Sequence, residues 1–182
     1  GTTHGVLVYD QVLGLLEPIG AQQGTVDSLI NVTCFEKLSD EDILIGSDRG
    51  LWLANTQSQS IKRVASGDLD GKRITQLSLS TANSNQIWVG TRNYGLWKAE
   101  ITGNLTYTTK RFVGSTPTLG NHVRALEHHN QEIWVGTELS LLKIDAQGNI
   151  LFIHTNQPEQ NVTDPNFNKF VFDNTGSLWY YS

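Results

Sequence analysis

Five histidines, one cysteine and a scatter of carboxylates are the groups in this 182-residue chain able to bind a metal or move a proton. The histidines are His4, His122, His128, His129 and His154, and the one cluster is Glu127-His128-His129. On a strand, neighbouring side chains point to opposite faces. Only Glu127 and His129 would then share a face, and two ligands fall short of the three or four that zinc takes. The triplet therefore reads as the end of a strand, and no metal is assigned. Cys34, alone in "NVTCFEKL", has neither a disulfide partner nor metal-type spacing around it, and reads as a buried structural thiol. No Gly-x-Ser-x-Gly elbow is present. "SGDLDGKR" from Ser66 has two aspartates but lacks the glutamate of a calcium loop, and Asp40-Glu41-Asp42 crowds a turn. His122 is the one plausible general base by position. No catalytic residue and no cofactor is assigned.

These groups are positioned by a repeat. The segments "ILIGSDRGLWLAN", "IWVGTRNYGLWKAE" and "IWVGTELSLLKID" align on Gly46, Gly90 and Gly136, in steps of 44 and 46 residues. The opening "GTTHGVLVYD" fits the register with Gly1 as anchor, and in the closing "GSLWYYS" Tyr181 falls on the next anchor position. A period of about 45 residues is in the range of propeller blades. Each period offers four short alternating segments and no helical periodicity; in the third these are "HVRALEHH", "EIWVGT", "SLLKID" and "NILFIHT". The expected fold is all-β: a β-propeller of four repeats, each a four-stranded antiparallel blade. The blade segments fall at about 27–66, 72–114, 121–155 and 166–182, the last completed by 1–20. Gly50 and Gly95 are expected to supply the positive φ of a tight hairpin between the second and third strands. The tryptophans at 52, 88, 97, 134 and 179 are expected to pack between blades.

The pattern N-x-V-x-x-L, then I-W-V-G-T, then G-L-W-K resembles the two-component regulator propeller repeat. The strongest match is "LGNHVRALEHHNQEIWVGTELSLLKID" from Leu119, and the second copy matches nearly as well from Ile74. In the third copy Ser140 stands where the others have Gly. The resemblance implies a non-catalytic sensor region on the periplasmic or extracytoplasmic side of a membrane-anchored bacterial signalling receptor. Its ligand would be a small molecule, an oligosaccharide or a protein. The resemblance also implies more than four blades in the parent. The chain contains no methionine and is read as an internal piece of a longer protein. Either the piece closes into a four-bladed ring, or it is an open arc whose unpaired edges favour a homo-oligomer.

A formal net charge of −5, with 13 basic against 18 acidic residues, excludes the positive field that nucleic-acid binding needs. No apolar run reaches membrane-span length. In a propeller, the loops entering each innermost strand crowd the mouth of the central channel, where ligands commonly sit. Those positions are Asp27 and Asn31, Lys72 and Arg73, Asn121 and His122, and Asn166 and Asn168. They mix donors and acceptors suited to a hydroxyl-rich or weakly acidic ligand. Two other readings stand beside the sensor. One is a lyase-type propeller enzyme, which needs an acid–base pair in the funnel; the other is a structural protein-interaction propeller.

Overall fold

The computed structural model of the chain describes residues 6–19, 31–80, 83, 85–101, 107–113, 120–155 and 167–181. Three four-stranded antiparallel sheets follow one another. The first contains β3 (Val32–Lys37), β4 (Asp42–Ser47), β5 (Gly50–Asn55) and β6 (Ser60–Arg63). The second contains β7 (Ile74–Leu79), β8 (Gln86–Thr91), β9 (Leu96–Ile101) and β10 (Tyr107–Val113). The third contains β11 (Val123–His129), β12 (Glu132–Thr137), β13 (Ser140–Ile144) and β14 (Ile150–Thr155). In each, strands pair in chain order. The leading strands also neighbour one another, since β3 contacts β7, β7 contacts β11, and β11 contacts β15 (Lys169–Phe172). Blades set face to face, each presenting its first strand to a common axis, make a propeller-like array. Among the described residues there is no α-helix, only a 3-10 turn at Gly67–Leu69.

The ends of the array differ from the four-stranded sheet expected of 166–182 joined by 1–20. β1 (Leu7–Asp10) and β2 (Leu15–Pro18) form one two-stranded sheet, and β15 with β16 (Leu178–Tyr181) forms another. The first packs on the first blade instead: Ile19 and Val6 join Ile45, Trp52, Ala54 and Ile61 in one apolar cluster. Hydrophobic contact with a neighbouring blade holds this sheet, and among the described residues no ladder joins it to β16.

Strand alternation explains the packing. Along β8, Ile87 and Val89 face the first blade, while Trp88 between them faces the third, clustering with Val123 and Val135. On β9 the order inverts: Leu96 faces the third blade and Trp97 the first. Trp52, Trp88 and Trp97 are buried as expected, and Trp134 is half-buried beside Phe170 and edge-on to Phe172 at 5.7 Å. Trp179 departs from expectation. It is 65% exposed, with its indole N–H donated to Asp173 Oδ2 at 2.7 Å, because among the described residues no further sheet covers β16.

Each part of the W-V-G-T step has a separate job. The glycine marks where the next blade's leading strand crosses. A Cβ on Gly46 would sit 2.8 Å from Ile74 Cγ2, on Gly90 2.6 Å from Val123 Cγ1, and on Gly136 2.5 Å from Phe167 Cβ. The hydroxyl residue after it closes the hairpin. Ser47 Oγ donates to Gly50 O at 3.0 Å, Thr91 Oγ1 to Gly95 O at 2.6 Å, and Thr137 Oγ1 to Ser140 O at 3.2 Å. Gly50 and Gly95 do adopt positive φ, of 110° and 77°. The third hairpin manages with Ser140 because Thr137 Oγ1 also accepts the amides of Leu139 and Ser140, at 3.1 and 2.9 Å. Cys34 lies half-buried with its Sγ under Gly46, and desolvation pushes its thiol up to about 12.

Candidate functional site

At the end of the array where chains enter the leading strands, the three four-stranded blades repeat one contact, made through the backbone in the first two and through a side chain in the third. The residue just before the strand meets the residue two places after the anchor glycine. In the first blade Asp48 N–H donates to Asn31 O at 3.3 Å, and Asn31 Nδ2 donates to Asp48 Oδ2 at 3.1 Å. In the second, Arg92 N–H donates to Arg73 O at 3.0 Å. In the third, the Glu138 carboxylate accepts the amides of Asn121 and His122 at 2.9 and 2.8 Å. Gly95 N–H donates to Asn121 O at 2.7 Å, tying the second blade's hairpin to the third blade's entrance. The contact thus recurs with different residues: the Asp48 and Glu138 side chains are engaged in it, whereas Arg92 takes part through its backbone.

A second repeated device lies one step deeper. The registers Val32↔Ser47 then Cys34↔Gly46, Ile74↔Thr91 then Gln76↔Gly90, and Val123↔Thr137 then Ala125↔Gly136 each skip one residue. Thr33, Thr75 and Arg124 are therefore bulged residues at one equivalent position, a device that re-aims side chains near functional sites. Thr33 Oγ1 donates to Ile74 O at 2.7 Å, Thr75 Oγ1 to Val123 O at 2.6 Å, and Gln76 Nε2 to Arg124 O at 2.9 Å. Glu36 accepts Leu79 N–H at 2.8 Å. These bonds satisfy edge backbone groups that no neighbouring strand pairs. Arg124 breaks the series. Its Nη1 reaches Asn168 Oδ1 only at 3.4 Å, and its Nε is enclosed without a partner among the described residues.

The residues expected at the mouth separate into groups. Arg73, Arg92 and Arg124 lie near enough to His122 for their charges to act on it, and Arg124 also approaches Asn168. Burial, then Arg124, Arg92 and Arg73, hold His122 below its ordinary pKa, against an opposing pull from Glu138. Lys72 lies apart: its ammonium bonds Asp68 O and sits 4.9 Å from the Tyr94 ring and 5.4 Å from the Trp97 ring. Asn31 is spent on the turn with Asp48, with φ of 58°. Asn121 serves through its backbone. Asp27 and Asn166 lie outside the described residues. Asp48, Arg92, Glu138 and Arg124 were not among the expected residues. The signal for the first three was position, two residues after each anchor glycine; a bulge such as that at Arg124 leaves no mark in a single sequence.

Below the mouth an open cleft of about 330 Å³ runs between the leading strands, lined by Gln76, Leu126, Glu127, Asn168, Lys169 and Phe170. Desolvation raises the Glu127 carboxyl above its usual range, with Lys169 and His129 acting against it. Glu36 is raised by desolvation and by the charge of Glu127, while the Leu79 amide opposes. The Glu-His-His triplet is divided as strand geometry requires. His129 stacks on Phe172 at 4.0 Å, and the His128 ring nitrogens are enclosed. Both Glu138 oxygens are engaged by backbone amides, so the carboxylate beside His122 is committed to structure. The arrangement suits binding by directed polar groups.

No known family profile matches the sequence, and no curated protein matches it. Solved structures do. The extracellular domain of the hybrid two-component system BT3049 from B. thetaiotaomicron is 20% identical at a TM-score of 0.69, covering 97% of this chain and 22% of that one. The extracellular domain of the hybrid two-component system BT4673 from the same organism is 14% identical at a TM-score of 0.74, covering 99% and 24%. The computationally designed Ika8 protein is 13% identical at a TM-score of 0.57, covering 84% and 46%. The chain thus spans less than a quarter of the two-component proteins' domains, and those domains are of the class that the repeat resembles.

Proposed function

We propose that the chain is part of the extracytoplasmic sensing region of a bacterial membrane signalling receptor, and that it binds a ligand or partner at the blade mouth without transforming it. The observation carrying this reading is the repeated contact at the strand entrances, which sets different residues, Asp48, Arg92 and Glu138, at one equivalent position, together with an open cleft along the leading strands. A scaffold that holds its geometry while varying its chemistry at one end suits recognition. The similarity to extracellular domains of two-component systems supports the extracytoplasmic side and the signalling role. No helix among the described residues is long and apolar enough to cross a membrane. A small molecule or oligosaccharide fits the cleft better than a flat protein surface does, since the volume is that of a small-molecule pocket.

The test is calorimetric titration of the chain against neutral and acidic oligosaccharides, with chromatography of each ligand after prolonged incubation. Saturable binding with every ligand recovered intact is the expected result. Consumption of a bound ligand would overturn the non-catalytic reading in favour of a lyase. No binding by any of the saccharides would leave the protein-interaction propeller as the better account.

A further inference from the structure

We infer that the mouth takes an anionic group of its ligand, a carboxylate, sulfate or phosphate, between the guanidinium groups of Arg73, Arg92 and Arg124. The inference deepens the sensing reading and rests on it for the place of the site. The three arginines come from three separate elements: the loop before β7, the β8–β9 hairpin, and the bulge of β11. Backbone bonds set their positions next to one another, and all three charges act on His122. Arg92 N–H to Arg73 O sets the first two side by side, and Gly95 N–H to Asn121 O docks their blade on the entrance to β11. The bulge places Arg124 one step beyond.

Three cations on neighbouring positions repel one another, and in a chain with 18 acidic residues a carboxylate would be the ordinary remedy. Among the described residues the ion pairs are Lys37–Asp40, Arg63–Asp70 and Lys143–Glu132; none involves these arginines. The nearby carboxylate of Glu138 is turned onto two backbone amides. Among the described residues Arg124 Nε is enclosed with no partner, and its Nη1 makes only a 3.4 Å approach to Asn168 Oδ1. A guanidinium left this way offers a planar fork to a carboxylate, sulfate or phosphate. The adjoining cleft supplies Gln76, Asn168 and Lys169 for the ligand's remaining polar groups. A small anion suits it better than nucleic acid, since the positive charge is local and the net charge is −5.

The probes are glucuronate, inorganic sulfate and inorganic phosphate, with glucose as the neutral control, titrated calorimetrically into the 182-residue chain. The expected result is millimolar or tighter binding of at least one anion, weakened about tenfold or more by Arg92→Gln or Arg124→Gln. The wild-type affinity should also fall with rising salt. Glucuronate alone would identify a carboxylate source; sulfate or phosphate would identify an ester source. Unchanged thermal unfolding of the variants separates lost binding from lost folding, and Arg124→Lys, keeping charge without the fork, should bind with intermediate strength. Two results overturn the anion site: glucose binding as well as glucuronate with no effect of either Arg→Gln variant, or no anion bound at all. The sensing reading survives either result if neutral oligosaccharides bind elsewhere in the cleft. It falls separately if a bound anion is consumed.

Discussion

At the scale of single residues, the anchor glycines are required by a neighbour and not by their own backbone. Gly90 lies where Val123 of the next blade crosses, and a Cβ there would be 2.6 Å from Val123 Cγ1 and 2.9 Å from Val123 Cβ. Gly90→Ala should destabilise the chain by about 1–3 kcal/mol, as overpacking does, measured by urea unfolding. A second residue-scale consequence concerns acid. Desolvation lowers the His128 pKa from the ordinary 6.5, so the folded chain holds that proton less tightly than the unfolded chain. Protons then favour unfolding, and this contribution to stability is lost as pH falls from the ordinary histidine range toward the lower folded value. His122 acts in the same direction. Glu36 and Glu127, raised from 4.5, act oppositely by taking up protons first in the folded state. The His128→Gln variant isolates one term. Its stability loss between about pH 7.5 and about pH 5.5 should be smaller than that of the parent chain in matched urea curves. An equal loss would show that His128 is not held neutral.

At the scale of elements, the strands and hairpins were legible because period-two alternation and hairpin glycines are local signals. "HVRALEHH" became β11, and Gly50 and Gly95 took the positive φ expected of them. The bulges were not legible. Skipping Thr33, Thr75 or Arg124 leaves the order of apolar and polar residues almost unchanged, and only pairing with the next strand exposes the extra residue. The role of the serine or threonine after each anchor glycine was hidden for a similar reason, since its acceptor lies across the hairpin turn. Of the expected mouth residues, Arg73 and His122 lie near Arg92 and Arg124, and Asn168 lies beside Arg124, whereas Lys72 is drawn away by Tyr94 and Trp97. The lacing between leading strands gives an element-scale prediction. Thr75→Val removes the 2.6 Å bond to Val123 O and leaves that carbonyl without its partner. It should cost about 1 kcal/mol in urea unfolding while the secondary structure is retained by circular dichroism.

At the scale of the whole molecule, the blades at the centre bury both faces and the two-stranded sheets at the ends do not. Leu7, Tyr9, Val12, Leu13, Leu15 and Leu16 are exposed at one end, and Val171, Trp179, Tyr180 and Tyr181 at the other. Exposed apolar surface on two-stranded sheets promotes association. The chain in isolation should show concentration-dependent self-association by light scattering, reduced by Trp179→Lys and Leu13→Glu together; a monomer at every concentration would contradict this. The period in the sequence disclosed the repeated unit. Whether 1–20 and 166–182 join in one sheet was beyond it, because the two halves of a blade look alike in sequence whether they meet or lie apart.

The central claim is that recognition sits at the arginine-bearing mouth. The direct measurement is a two-dimensional amide NMR titration with acidic and neutral saccharides. Saturable shifts concentrated at Arg73, Arg92, His122, Arg124 and Asn168 are the predicted result. Saturable shifts confined to other surfaces, with these five unmoved, would contradict it.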